Sequence, residues 1–370
     1  MSIKNQFIKS LSNLVGFSTK RKIVVIESDD WGSIRMPSNE IRQELQQKGI
    51  PLGEGTPGYS YNLYDTLASE DDLSHLFEVL SSFRDKNGRH PVFTGMSLVA
   101  NPDFEKIRQS GFQEYHYESF TETLKREGKN SFKLWKEGEK NGIFWPEFHG
   151  REHLNVPVWL RSLQMNDENT LRAFDSGIWG FKRKGINYQA AFDLEFSTDL
   201  AFQKEIIADG LKLFKEIHGR EASLFVPPNG PFNESLEEVA AKGGIKYMSA
   251  AKIHKQPLGN GKMKNKYHWL GQKNKHDQIY ITRNAFFEPS NPSRNWNADC
   301  LNDIQIAFRF NKPVVISTHR VNYIGSLDVN NRDKGLRELG SLFKEILNRW
   351  PDVEFMTSTE LGNLMSGKLT

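Results

Sequence analysis

The chain has 370 residues, which is enough for one large α/β domain or two medium ones with a sizeable core. Its 49 basic and 46 acidic residues nearly cancel to a net charge of +3, which argues against a dedicated nucleic-acid-binding protein because such proteins concentrate basic residues in a stripe. The single cysteine, Cys300, excludes an intrachain disulfide, and no apolar run approaches the roughly 18 residues that a membrane-spanning helix needs. Because no signal-peptide pattern opens the chain, we expect a cytoplasmic protein.

Residues 1–21 predict a basic amphipathic helix. Apolar side chains recur at helical spacing, and lysines surround them. Such a helix can dock on the protein's own body or lie on an anionic membrane surface, and the sequence leaves both interpretations open. The second would make this a membrane-associated protein through peripheral contact. The apolar positions are Ile3, Phe7, Ile8, Leu11, Leu14 and Val15.

Residues 22–28 predict a buried parallel strand, because they are β-branched and nearly continuous in apolar side chains. Asp29 and Asp30 follow at its carboxyl end, where α/β folds place their chemistry, and Trp31 comes next. The alternative is a pair of solvated turn residues. We favour a functional role because the strand that leads into them is fully apolar.

The rest of the chain alternates strand and helix candidates, which indicates a parallel sheet, open or closed into a barrel. Residues 51–67 are rich in Gly, Pro and Tyr and predict a long irregular loop, whose tyrosines suit ligand stacking and loop packing equally well. Residues 103–140 are polar and charged and predict a helical insertion or lid. We therefore expect a single domain over residues 22–370.

His149 and His153 follow an aromatic strand candidate. Their spacing of four residues would place both on one face of a helical turn, where both rings could reach one divalent cation. The paired aspartates are the best source of a third ligand. The alternative is a helix surface that carries two histidines by chance.

A second apolar run, residues 313–318, ends in His319. A strand-end histidine of this kind can serve in catalysis, or it can be a satisfied histidine under a loop. The remaining candidates stand in polar contexts and are predicted to lie at the surface; they are His75, His218, His254, His268 and His276.

The order of these motifs resembles that of the polysaccharide deacetylases, carbohydrate esterase family 4, over roughly residues 22 to 365. The resemblance implies a distorted (β/α) barrel of about seven parallel strands. It also implies one zinc-like ion and the hydrolysis of N-acetyl groups on amino sugars. By this resemblance Asp29 is the base, His319 the general acid, and the metal ligands are Asp30, His149 and His153.

The third motif departs from the family's Arg-Pro-Pro-Tyr, because residues 226–229 read Val-Pro-Pro-Asn. In the family this arginine braces the catalytic aspartate, and Val226 stands in its place here. Asn229 can still offer the backbone N–H that helps to hold the oxyanion. Arg151, Arg283 and Arg320 are candidates to replace the arginine. The candidate residues for substrate and oxyanion contacts are therefore Asn229, Trp31, Arg151 and Arg283.

The family's fourth motif, a strand-end Asp followed by Trp, cannot be identified in this sequence. Residues 283–289 occupy about that place. A carboxylate on the second ring nitrogen of His319 would fix its tautomer, and Glu288 or Asp299 could supply it.

Three functions are compatible with these motifs. The leading hypothesis is a zinc-dependent de-N-acetylase of an amino-sugar glycan or its precursor, such as a lipid-linked or nucleotide-linked sugar. The second is a small-molecule amidohydrolase that opens a cyclic amide or imide on the same fold. The third is a carbohydrate-binding protein that has lost catalysis. The sequence leaves the sugar, the linkage and the oligomeric state open.

Overall fold

Strands and helices alternate along most of the chain in the computed structural model, which describes residues 13–56 and 58–368. The strands are β1 (Lys22–Trp31), β2 (Phe93–Leu98), β3 (Ala100–Pro102), β4 (Tyr117–Ser119), β5 (Phe144–Gly150), β6 (Leu224–Phe225), β7 (Tyr247–Ser249), β8 (Ile253–Gly259), β9 (Lys262–Tyr267), β10 (Ile279–Ile281), β11 (Ala285–Phe286), β12 (Val314–His319) and β13 (Val353–Met356). The α-helices are α1 (Asn39–Gln47), α2 (Tyr59–Tyr64), α3 (Glu70–Ser81), α4 (Phe104–Gln109), α5 (Phe120–Arg126), α6 (Phe132–Lys140), α7 (Val156–Gln164), α8 (Glu168–Asp175), α9 (Leu200–His218), α10 (Glu237–Lys242), α11 (Trp296–Arg309), α12 (Val329–Arg349) and α13 (Ser358–Met365). Short 3-10 helices cover Ser197–Asp199, Glu234–Leu236 and Arg320–Tyr323.

Strand β1 lies at the centre of the sheet, and every residue of it after Lys22 is buried. It pairs in parallel with β12 along one side. On the other side it pairs with β13 along its first half and with β2 along its second half. The β1–β12 register sets Asp29 directly beside His319. Two residues that are 290 positions apart in the chain thus become neighbours through backbone pairing alone.

The main sheet of the described chain is parallel throughout and curls into a barrel. Its order is β10-β7-β6-β5-β2-β1-β12-β11, with β13 paired to β1. Residues 282–284 connect β10 to β11, so one continuous stretch of chain joins the two edges of this sheet. If β10 and β11 are taken as one interrupted strand, seven strands form the ring and β13 is an addition. This confirms the distorted (β/α) barrel that the resemblance implies.

The segment 103–140 connects β2 to β5 and is partly helical. Its helices α5 and α6 pack on the core: Phe120 stacks on Trp135 with ring centroids 4.9 Å apart, and Trp135 meets Phe144 edge-on at 5.2 Å. Phe120 and Trp135 are almost fully buried. The segment therefore covers the barrel as part of its core.

The first twelve residues, which carry most of the predicted amphipathic helix, lie outside the described residues. From Asn13 to Arg21 the chain forms turns and extended backbone. Gly16 has a φ of +89° and lies against Leu270, whose backbone carbonyl accepts a 2.7 Å hydrogen bond from the Phe17 N–H. Lys312 donates to the carbonyls of Gly16 and Phe17. Residues 16–21 are therefore tied to the protein's own body. No helix in the described chain is long and apolar enough to cross a membrane.

Three of the histidines predicted to lie at the surface are buried, so that prediction is wrong for them. His218 packs on Phe214 with ring centroids 4.4 Å apart. His254 and His268 face each other across the β8–β9 hairpin, with Nδ1 and Nε2 3.3 Å apart. In β8 exposed and buried positions alternate from Ile253 to Gln256, so the exposed Lys255 stands next to the buried His254 and hid it in the sequence. His75 is exposed and His276 is half-buried.

Gly335 provides a test of how α12 packs on the 3-10 helix that follows β12. A Cβ at Gly335 would lie 1.7 Å from the Asn322 carbonyl oxygen, so Gly335→Ala has to displace backbone. We expect it to lower the free energy of unfolding by about 1–3 kcal/mol. Gly340→Ala in the same helix is the control, because its Cβ would meet Val79 only at 3.9 Å. We expect this control to gain about 0.5–1 kcal/mol. Urea unfolding measures both, and equal stabilities would contradict the packing described.

Candidate metal centre and catalytic site

The two aspartates at the end of β1 point into the same cavity because the strand is distorted there. Successive side chains of a regular strand point to opposite faces. Asp30 has a φ of +74°, and the pairing of β1 with β2 shifts register between Ser28 and Trp31. Asp29 and Asp30 therefore both line one cavity, and each is only 4% exposed.

His149 and His153 come together through a turn at a glycine. His149 lies on β5, and residues 151–155 after it are irregular up to the start of α7. The prediction that both lie on a helical turn is wrong. Gly150 has a φ of +126°, which favours glycine, and the chain turns there so that the two imidazole centroids are 5.5 Å apart. The Nδ1–H of His149 donates to the Val226 carbonyl at 2.7 Å, which leaves Nε2 directed at Asp30.

The three predicted ligands converge on one point. The Nε2 atoms of His149 and His153 are each 3.3 Å from Asp30 Oδ1, and the three donor atoms lie within 4.8 Å of one another. Asp30 Oδ1 is buried without a hydrogen-bond partner in the described chain. A buried anionic oxygen between two imidazole nitrogens, itself lacking a donor, is the arrangement that a divalent cation completes.

The protonation states of this cluster also suit a cation. Burial raises the pKa of Asp30, but electrostatic attraction from the His153 and His149 rings, whose Nε2 atoms lie 3.3 Å from Oδ1, outweighs it and holds the pKa well below its usual value. Burial lowers the pKa of His153. An ionised carboxylate and a neutral imidazole are the forms that bind metals. The residues present thus fit a zinc-like ion with three protein ligands and room for others.

Arg283 is the arginine that contacts Asp29. Its Nη1 and Nη2 donate to the two carboxylate oxygens of Asp29 at 2.6 Å each, and its Nε donates to Glu27 at 2.6 Å. Nη1 also reaches Ser317 Oγ at 3.0 Å. Burial raises the pKa of Asp29, whereas the charges of Arg283 and His149 lower it, and the net direction is down. Asp29 is therefore an anion held in one orientation.

The other two candidate arginines are engaged elsewhere. Arg151 pairs with Glu152 at 2.6 Å and Asp209 at 2.9 Å and stacks on Tyr117, outside the cavity. The structure thus contradicts its predicted substrate contact, because two carboxylates hold its side chain away. Arg320 is buried against Asp65 at 2.9 Å.

His319 stands beside Asp29 and is oriented by Glu288. Its Nδ1 is 2.6 Å from Glu288 Oε1, and its Nε2 is 3.6 Å from Asp29 Oδ2. Asn322 donates to the second oxygen of Glu288 at 2.7 Å. Burial lowers the pKa of His319, but the charge and hydrogen bond of Glu288 raise it to about 10. Of the two carboxylates considered from the sequence, Glu288 makes the contact, while Asp299 lies 3.7 Å from Arg294.

The cavity around these groups has a volume of about 810 Å³. Asn229 lines it from the turn after β6 and has a φ of +55°. Trp31 does not line it: this side chain is 1% exposed, donates to Ser28 Oγ and packs on Phe144. Its predicted substrate contact is wrong, because β1 continues through Trp31 and directs the indole into the core.

Several residues of the cavity are not among the site residues predicted from the sequence. Tyr61, from the tyrosine-rich segment 51–67, lies on the short helix α2 and meets the His319 ring edge-on at 5.3 Å. Arg35, Asn62 and Lys182 also line the cavity. The tyrosine-rich composition pointed to this region, whereas one arginine and one lysine among 49 basic residues carried no signal.

No protein-family model and no curated protein sequence matches the chain. Solved structures that resemble it include a probable polysaccharide deacetylase from Pseudomonas aeruginosa PAO1, with 9% identity and a TM-score of 0.46 over 93% of this chain and 91% of the other. PuuE allantoinase has 11% identity and a TM-score of 0.45 over 96% and 94% of the two chains. A pseudoenzyme of carbohydrate esterase family 4 from Bacillus anthracis has 9% identity and a TM-score of 0.37 over 94% and 66%.

These solved structures include polysaccharide deacetylases, the family that the sequence motifs resemble. Identities of 9–11% and TM-scores below 0.5 carry no argument about activity. The function is therefore argued from the site itself.

Metal binding gives the most direct test of the ligand cluster. Protein treated with a chelator and then titrated with zinc in a calorimeter is expected to bind one ion. We expect His149→Ala to weaken this binding by at least about 100-fold, the upper end of what losing an outer partner of a ligand costs. His75→Ala is the control, because His75 is exposed on α3 and contacts Asp71. Unchanged affinity in His149→Ala would remove this residue from the ligand set.

The contact between Glu288 and His319 predicts a pH dependence of stability. Because the pKa of His319 is raised to about 10 in the folded chain, its contribution to stability is complete below its unfolded value and is lost as the pH rises through 10. In chelator-treated protein, Glu288→Gln should lower the melting temperature most at pH 6.5, and the gap to wild type should narrow by pH 10.5. A gap that does not depend on pH would contradict a charged His319.

Proposed function

We propose that this protein is a metal-dependent hydrolase that removes N-acetyl groups from the amino sugars of a polysaccharide or its precursor. One observation supports this proposal above others. A metal-ligand cluster, an anionic carboxylate and a protonated imidazole share one cavity. Amide hydrolysis needs an activated water, a polarised carbonyl and a proton for the leaving amine, and this site offers a group for each.

Asp30, His149 and His153 would hold the ion, and zinc suits this set of one oxygen and two nitrogen ligands. When bound, such an ion polarises a carbonyl oxygen and lowers the pKa of water toward roughly 7. Asp29 accepts the proton of the attacking water. Its two oxygens already receive hydrogen bonds from Arg283, which keeps the carboxylate in one orientation while it does so.

His319 is the proposed proton donor to the leaving group. Its Nε2 carries the proton that the leaving nitrogen needs, and Glu288 on Nδ1 stabilises the protonated ring. Asn229 lies at the cavity wall in a turn, where its backbone N–H is the proposed donor to the oxyanion. The cavity volume of about 810 Å³ lies within the range for small-ligand sites, and one sugar ring fits into such a space.

Acetate release from N-acetylglucosamine oligomers by zinc-loaded protein tests the proposal. We expect Asp29→Asn to lower kcat by at least about 100-fold, because general base catalysis contributes this much. The variant should still bind zinc, since Asp29 is not in the ligand cluster. Asp352→Asn is the matched control, an acid-to-amide change at a surface residue that pairs with Lys22.

Three outcomes would contradict parts of this proposal. Full turnover in Asp29→Asn would exclude Asp29 as the base. Zinc-loaded wild-type protein that opens a cyclic imide but releases no acetate from any sugar would replace the deacetylase with an amidohydrolase. If the protein binds sugars and hydrolyses neither class, it is a carbohydrate-binding protein.

A further inference from the structure

Arg35 is a buried cation in the wall of the cavity. It follows β1 by four residues and is 7% exposed. Its guanidinium carbon lies 5.0 Å from the centre of the Tyr61 ring, and its Nε donates to Asn62 Oδ1 at 3.3 Å. In the described chain no carboxylate forms a salt bridge with it. The charge of Arg35 acts to lower the pKa of the buried Asp65, but the arginine that contacts this carboxylate is Arg320, at 2.9 Å.

Other arginines of the cavity have their counter-charge. Arg283 contacts both Asp29 and Glu27, and Arg183 pairs with Asp167 at 2.8 Å. A buried guanidinium without a carboxylate is costly, because charge removed from water needs a partner. Arg35 departs from this rule at a position where it lines the cavity, and none of the hydrogen bonds found among the described residues occupies its terminal nitrogens.

A second cation lies on the same wall. A Cβ built on Gly180 would be 3.9 Å from the Nε of Arg35, so the chain at residues 180–182 runs beside the guanidinium. Lys182, two residues further on, is exposed and lines the cavity, and no salt bridge to it is formed within the described residues. The acidic residues of the lining already have partners: Asp29 pairs with Arg283, and Asp30 contacts the histidine pair. This wall therefore carries two cations that form no salt bridge within the described residues.

We propose that Arg35 binds an anionic oxygen group, a phosphate or a carboxylate, that the substrate carries in addition to its N-acetyl group. This inference rests on the proposed function and narrows its substrate to an acidic amino sugar. The guanidinium lies over the Tyr61 ring and its Nε donates to Asn62, which leaves the terminal nitrogens for the ligand. A planar fork of N–H donors matches the oxygens of a phosphate or a carboxylate. Lys182 adds attraction at the rim.

A structural role for Arg35 makes a different prediction. Arg35 stacks on Tyr61, and Tyr61 contacts the His319 ring. If Arg35 only positioned these rings, its loss would change kcat for neutral and acidic substrates alike. If it binds an anionic group, its loss raises KM for acidic substrates in particular.

The kinetic experiment compares substrates that differ in charge. Acetate release is measured for neutral N-acetylglucosamine oligomers, for N-acetylglucosamine 1-phosphate and for an N-acetylated amino sugar that carries a carboxylate. We expect the wild type to prefer at least one acidic substrate in kcat/KM. Arg35→Gln should reduce that preference by roughly 10- to 100-fold, through KM, because a hydrogen bond between charged groups has this strength. The substrate that loses most identifies the anionic group as phosphate or carboxylate.

Lys184→Gln is the control for a general loss of positive charge. Lys184 lies in the same segment as Lys182, is exposed and does not line the cavity. We expect this variant to keep the wild-type preference. Arg35→Lys keeps the positive charge but lacks the planar fork of guanidinium donors, and it should retain part of the preference for acidic substrates. A wild type without preference for acidic substrates, or an equal fall in kcat on all substrates in Arg35→Gln, would overturn the proposal.

A binding measurement separates this inference from the proposed function. Inorganic phosphate is titrated into chelator-treated protein, where no hydrolysis takes place, and the melting temperature is followed. We expect phosphate to stabilise wild type and Lys184→Gln, and to stabilise Arg35→Gln much less. If phosphate stabilises the protein in this way but no acetate is released from any sugar, the anion site is supported and the deacetylase proposal is rejected. Equal stabilisation of wild type and Arg35→Gln would reject the anion site whatever the activity.

Discussion

The structure of this site depends on the burial of two adjacent carboxylates at the end of one strand. Asp29 and Asp30 are each 4% exposed, and removing an ionised carboxylate from water costs several kcal/mol unless a partner replaces the solvent. Two neighbouring anions cannot share one partner without repelling each other. The chain separates them at the left-handed residue Asp30, so that Asp29 meets Arg283 and Asp30 meets two imidazoles. Asp29 is thereby paired with the guanidinium of Arg283. Asp30 lies between two imidazoles, and together these three side chains suit a metal cation.

The barrel explains why these partners come from distant parts of the sequence. Parallel strands present their carboxyl ends at one rim, so β1, β5 and β12 deliver Asp29, His149 and His319 to the same place. Arg283 comes from the short connection between β10 and β11, where the chain passes from one edge of the sheet to the other. Glu288 follows two residues after β11 and Asn322 follows β12, so the support of His319 comes from adjacent strands as well.

The sequence predicted the parts of the site that depend on local pattern. The apolar strand before Asp29 and the strand before His319 follow from residue type and order, whereas the convergence of Asp30, His149 and His153 was implied by the family resemblance. The helical explanation of the histidine pair failed, because a spacing of four fits a helix and also a glycine turn, and only the φ of Gly150 separates the two.

Predictions that depended on long-range packing were less secure. Three arginines neighboured a motif, but sequence proximity does not tell which side chain turns inward. Arg151 is adjacent in sequence to two of the candidate metal ligands and faces away from the cavity, whereas Arg283 is 254 positions from Asp29 and contacts it. The predicted substrate contact of Trp31 was wrong for a similar reason. The strand continues past the distortion at Asp30 and directs the Trp31 side chain into the core. Nothing in the sequence marked Arg35 as a residue of the cavity, because the lack of a carboxylate partner can be seen only in the three-dimensional structure.

Asp29 and His319, the proposed base and acid, have pKa values that shift in opposite directions although Asp29 is buried, His319 is half-buried and their nearest charged atoms are 3.6 Å apart. Burial alone would push the pKa of Asp29 up and that of His319 down, toward neutral forms of both. Arg283 reverses the first shift and Glu288 reverses the second, which is the separation that a general base and a general acid need. A pKa of about 10 holds the proton on His319 too firmly for easy transfer near neutral pH. A divalent cation on Asp30 would cancel part of the negative charge that raises this pKa, and it would thereby bring His319 toward the range of an effective proton donor.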